Sequence, residues 1–422
     1  MIFPILYLVC LVIAPQLWLP PFIGLPVDYI LLPLWLVAIF LTGRFVWKPN
    51  VQDYFLIFFM IWMLVSMVAN RNLLAYERDI GYIVVFYIKI SLIYYLLVCS
   101  LFSPERLKYF IAALVLIAIT LSVEGIQHKI SGIGWAGQRL GWVDPAVIAS
   151  GGTGRTRWVG IFDGPGVFCV IYTAALPFLL VAVNQAFPFM VRMFSYIFIP
   201  LVLIAVYLTG SRGGLIATLS IFLLYYGWNI KKSKFTFIIG AGIILALVSI
   251  APSHMTEIHD SSKSTYHRIE MWSEGIEMVV QNPVFGIGRG NFASYTSKLI
   301  AHSSSIEIMG ETGIIGFFAW VGLLYMTLKN IFLYMKQESP SSNSLLAKGL
   351  FLAIAGYVVS SMFVTLEYET YYILLALGGV LGRGLKEPSR LTIRDIIIIG
   401  LACVGWVAVV YVYARWYGSQ YF

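Results

Sequence analysis

Apolar residues in this chain come in long runs, and the runs are divided by short polar stretches. A helix needs about 20 apolar residues to cross the hydrocarbon of a bilayer. Runs of that order fall at 3–19, 28–43, 52–69, 80–101, 107–123, 166–183, 189–208, 213–229, 235–251, 308–335, 347–365, 370–383 and 395–414. They predict an all-α integral membrane protein with about 12–13 transmembrane helices in one polytopic domain, 1–422. The first two runs are short and are interrupted by Pro15, Pro20 and Pro21, which leaves the count open by one. Two polar stretches are too long for simple turns, 124–165 and 252–305, and these are the two long loops of the fold.

Composition supports the membrane assignment. The 422 residues are 60% hydrophobic and 11% charged, against about 25% charged in a soluble domain. The net charge of +8 sits mainly in short loops, so it reports orientation and contact with anionic lipid, not nucleic acid. With the N-terminus inside, fifteen of the 28 lysines and arginines face inward, among them Lys231, Lys232, Lys234, Lys386, Arg390 and Arg394. Of the twelve outside, only Arg71, Arg78, Arg212 and Arg415 occupy short loops or the chain end, so this orientation is preferred. All five histidines, His128, His254, His259, His267 and His302, then share the outer face with both long loops. Cys10, Cys99, Cys169 and Cys403 lie scattered in apolar segments and read as buried small hydrophobes. The N-terminal run lacks a basic leader region and is read as a retained span.

Candidate chemistry concentrates on that outer face. The stretch 251–316 is the longest polar interruption and holds His254, His259, His267, Arg268, Arg289 and His302. Between membrane helices, irregular polar backbone lines a cavity or holds a site. Tyr266 to Trp272 opens an amphipathic helix, and Asn282 to Phe292 forms a glycine-punctuated turn. His302 then stands at the mouth of the tenth span, followed by Glu307 and Glu311, which share a helix face. Thr209-Gly-Ser-Arg212-Gly-Gly reads either as a phosphate site, with a guanidinium at a helix N-terminus, or as a tight helix–helix turn. Lys89, within the fourth span, is either functional or a snorkelling side chain. The loop 124–165 reads either as a folded cover with Trp135, Trp142 and Trp158 seated at the interface or as a flexible connector.

Together these passages resemble the O-antigen ligase and O-antigen polymerase superfamily. The similarity rests on the Thr-Gly-Ser-Arg-Gly-Gly turn, on Arg268 to Trp272 with the following Asn282-Pro-x-Phe-Gly-x-Gly turn, and on His302 through Glu307, Glu311 and Gly316. An earlier passage, Arg157 to Pro165, adds to it. The chain departs from the family pattern at Ser303, where many members carry Asn, and at Gly166, where Pro-Asn is common.

The resemblance implies a glycosyltransferase bundle of the GT-C type in the cell inner membrane, its site facing the periplasm. Such an enzyme moves a glycan from undecaprenyl diphosphate to an acceptor hydroxyl, on lipid A core or on a growing polysaccharide. By position, Arg212 and Arg268 would hold the diphosphate and His302 would act on the acceptor. Arg157, Trp272, Arg289, Glu307 and Glu311 are further candidates for substrate contact, the two glutamates also as alternative bases. No Asp-x-Asp pattern marks a metal site, so neither metal nor cofactor is expected. A ligase, a polymerase and a protein O-glycosyltransferase all fit this chemistry. The reading from another class is a polytopic transporter or lipid flippase.

Overall fold

In the computed structural model, residues 1–45, 48–70, 80–141, 154–162, 164–227, 258–296, 300–339 and 341–421 are described. Among them are fourteen α-helices and no strand. They are α1 Ile2–Val12, α2 Val27–Leu41, α3 Val51–Ala69, α4 Ile80–Ser100, α5 Pro104–Ser131, α6 Pro165–Ala182 and α7 Phe189–Thr209. Then follow α8 Arg212–Gly227, α9 Ile258–Gln281, α10 Phe292–Tyr295, α11 Ser304–Gln337, α12 Ser342–Ser361, α13 Glu369–Arg383 and α14 Ile393–Tyr421. Twelve of the thirteen predicted spans are helices, and eight described helices are long and apolar enough to cross a membrane. The protein is an all-α, multi-pass membrane protein. The predicted span 235–251, the Lys231–Lys234 cluster, Arg71, Arg78, Trp142 and His254 lie outside the described residues.

The boundaries differ from the sequence pattern at several helix ends, and at two of them the local reason is plain. The first run stops at Val12, because a proline at 15 removes an amide donor and its ring disfavours helical backbone before it. Ala14 takes a left-handed conformation there, and Pro15–Leu17 and Pro20–Phe22 form single 3₁₀ turns. Conversely, α5 continues eight residues past the predicted end, to a left-handed Gly132 cap. Glu124, Gln127, His128 and Lys129 look like loop residues, but Glu124 and His128 are fully buried on the helix. Gln138 donates to Glu124 at 2.8 Å, and Lys129 donates to the Gly154 carbonyl at 2.6 Å.

The chain forms two compact units. The first comprises residues 1–46, 96–256 and 334–360. Its core helix is α6, buried continuously from Val167 to Ala182 and packed by α5, α7 and α8. Trp158, expected at the interface, is instead buried, with its indole N–H on the Val12 carbonyl at 2.9 Å.

The second unit comprises residues 47–95, 257–333 and 361–422. Its core helix is α13, buried from Tyr371 to Gly382. Two buried amides there are matched: Gln52 donates to the Leu375 carbonyl at 2.8 Å, and Asn330 donates to Gln52 at 2.9 Å. An unmatched buried amide would cost about 1–3 kcal/mol, so these contacts fix which faces meet. Lys89 pairs with Glu369 at 2.6 Å, so the intramembrane lysine is held by a buried carboxylate.

Candidate functional site

The second unit builds its polar end around a break in α11. Gly313 has φ 68° and interrupts the helix, leaving backbone groups without helical partners. The turn after α9 supplies them. The Ile287 and Gly288 amides donate to the Gly310 and Glu311 carbonyls at 3.1 and 2.9 Å, and the Ile314 amide donates to Pro283 at 2.9 Å. From α3, the Ser66 hydroxyl lies within hydrogen-bonding distance of the Phe285 and Glu311 carbonyls, at 2.6 and 2.8 Å. Trp62 donates to the Thr312 carbonyl at 2.9 Å and stacks on Phe285. Gly286 is obligatory in this arrangement, since its φ is +65° and a Cβ would collide with the backbone of Gly310 and Glu311. Two sequence motifs are thus one folded element.

His302 stands two residues before this helix. Its φ of 50° is left-handed, shared among described non-glycine residues only with Ala14. Such a conformation in a non-glycine residue marks a position held by its surroundings. The side chain is half-buried. Burial, and then the charge of Arg268 on α9, lower the imidazole pKa below its usual value, while Glu307 opposes them. His302 is therefore a neutral imidazole at neutral pH, under the opposing fields of a guanidinium and a carboxylate. Arg268 and Trp272 are both half-buried on α9, the helix expected there.

Arg289 occupies a different environment. It is 8% exposed, and its guanidinium donates to Tyr87, Glu307, Glu311 and Glu367. Burial works against its charge, but Glu367, Tyr87, Glu311 and Glu307 together hold its pKa well above the ordinary value. Glu311 also accepts from the Phe292 amide at 2.8 Å at the start of α10. Glu307 accepts from Thr365 at 3.0 Å, and Glu367 accepts from Tyr372 at 2.7 Å. The cluster ties the glycine turn, the start of α11 and the connector before α13 to α4. It carries three carboxylates to one guanidinium.

In the first unit, Arg212 is the first residue of α8 and is half-buried. Gly210 ends α7 in the left-handed region, and Ser211 caps α8 by accepting from the Gly214 amide at 3.0 Å. Gly214 lies against Cys169 of α6, where a Cβ would collide with the sulfur. One glycine of the motif therefore serves helix packing. The Thr156 amide donates to the Leu208 carbonyl at 3.1 Å, which lays the segment around Arg155 beside this turn. Burial, and then the Arg212 charge, lower the Arg155 pKa. Two guanidiniums are thus neighbours. Arg157 points elsewhere, donating to the Arg139 carbonyl at 3.0 Å.

Residues 197–321 match the O-antigen ligase family. The match bears out the resemblance to the O-antigen ligase and polymerase superfamily. No curated protein matches the chain. The matched segment holds Arg212, Arg268, Trp272, Arg289, His302, Glu307 and Glu311.

The structure brings Arg268, His302 and Glu307 together, and gathers Arg289 with the same Glu307 and with Glu311. Arg212 belongs to the other unit. Of the remaining histidines, His128 is buried on α5, and His259 and His267 fall on α9. Three residues of these clusters, Arg155, Tyr87 and Glu367, escape the sequence reading and lie outside the O-antigen ligase match. For Glu367 a signal exists: the four residues between two apolar runs include both Glu367 and Glu369.

Proposed function

We propose that this protein is a membrane glycosyltransferase of the O-antigen ligase and polymerase type. It transfers a glycan from undecaprenyl diphosphate to an acceptor hydroxyl, on lipid A core or on a growing polysaccharide, at the periplasmic face of the inner membrane. The observation that carries the reading is His302, a strained, half-buried imidazole kept neutral by burial and Arg268.

In the proposed step, His302 takes the proton of the acceptor hydroxyl as its oxygen attacks the sugar's anomeric carbon. The bond from that carbon to the diphosphate oxygen breaks, and the electron pair leaves with the diphosphate. Arg268 and Arg212, with Arg155 beside the latter, stabilise the charge that develops there. Fixed guanidiniums act best in such a role because they need not reorganise during the reaction. Glu307 favours the imidazolium once it forms, as the carboxylate beside a catalytic histidine does.

Transfer by purified protein in proteoliposomes tests the assignment. Arg212→Ala and Arg268→Ala should each lose most activity, with Lys restoring only part, because an ammonium lacks the planar fork. His302→Ala should abolish transfer while leaving donor binding nearly unchanged. Full activity in both arginine variants sinks the donor-site assignment.

A further inference from the structure

The second unit also contains a crevice of about 310 Å³ between α3 and α4. It lies at the end remote from His302: its polar residue on α3 is Asp53, while Ser66, thirteen residues along the same helix, reaches the α11 break. Leu56, Ile57, Met60 and Ile61 form one aliphatic stripe of α3 leading up from Asp53. Ile57 and Ile61 are 41% and 54% exposed. Lys48 and Arg383 line the polar end.

The charges at that end are unevenly satisfied. The Asp53 carboxylate accepts from the Asn50 amide at 2.7 Å, from the Tyr94 hydroxyl at 2.9 Å and from Arg383. Arg383 donates through one terminal nitrogen to Asp53 and through the other to the Gly379 carbonyl at 3.0 Å. Its Nε is buried with no partner among the described residues. Lys48 is exposed beside it, so the polar end holds two cations against one carboxylate.

We infer that this crevice binds a phospholipid with a net anionic headgroup. The phosphate would pair with Lys48 and with the Arg383 guanidinium, which both line the crevice, and an acyl chain would lie along Leu56, Ile57, Met60 and Ile61. The aliphatic stripe argues for a lipid over free phosphate, which would leave those side chains uncovered. The net positive end argues against a zwitterionic lipid, whose cation would stand near Lys48. Lys386, Arg390 and Arg394 follow α13 closely, which fits a surface apposed to an anionic leaflet.

Native mass spectrometry of the full-length protein tests this, using phosphatidylglycerol and phosphatidylcholine with identical acyl chains. Phosphatidylglycerol should be retained at least about fivefold better, the discrimination that one surface cation supplies. Lys48→Glu should erase that preference, and Ile57→Trp, which fills the crevice, should remove the bound lipid. Lys48 is exposed, so its variant keeps the test readable if Ile57→Trp lowers the folded yield. Equal retention of the two lipids, an unchanged preference in Lys48→Glu, or displacement by inorganic phosphate alone would each overturn the inference.

Discussion

His302 is held in a left-handed backbone near Arg268 and Glu307, and these neighbours push its basicity in opposite directions. Burial and Arg268 prevail, so the imidazole stays neutral to a pH below its ordinary value of about 6.5. A base must be neutral to accept a proton. Transfer should therefore fall on the acid side only below that pH. Glu307→Gln removes a charge that raises the His302 pKa, so the acid limb should move to still lower pH. Rate profiles of the two proteins, at matched folded yield, check the sign. A limb unmoved by Glu307→Gln would assign it to another group. Arg268, His302 and Glu307 were visible as polar residues in an apolar chain. Tyr87 and Arg155 did not stand out, and the polar gap holding Glu367 did not reveal its role, because each acquires its place from a partner far along the sequence.

The helices were legible because lipid forces each span to satisfy its own backbone, which writes long apolar runs into the chain. That logic fails where polar residues are buried with partners, as on the last turns of α5, and where a helix is broken yet satisfied from outside. The α11 break is the clearest case: nothing in the run 308–335 shows that Gly313 interrupts it, or that Ile287, Gly288 and Pro283 complete it. Gly286→Ala should cost at least about 2 kcal/mol, from the left-handed backbone alone about 1–2 kcal/mol and from the collision with Gly310 and Glu311 in addition. Thermal unfolding in detergent measures it. An unchanged midpoint would show that the turn does not support the break. Because this element sets the start of α11, the substitution should also lower transfer by the protein that remains folded.

Across the whole chain, the basic residues predict that Lys386, Arg390 and Arg394 face the cytoplasm and that the stretch 252–305 faces the periplasm. An impermeant thiol reagent on whole cells should label a cysteine placed at 262 and spare one at 232. The reverse pattern would invert the topology and move the candidate site to the other side. The candidate groups are divided between two compact units, with Arg155 and Arg212 in one and Arg268 and His302 in the other. The rival reading, a transporter or flippase, would move a lipid-linked glycan without breaking its bond to the diphosphate. The most direct measurement is therefore the free undecaprenyl diphosphate released when proteoliposomes are given lipid-linked glycan and acceptor. One should be released for each glycan joined, and none by His302→Ala. Glycan lipid that crosses the bilayer intact, with no undecaprenyl diphosphate freed, would contradict it.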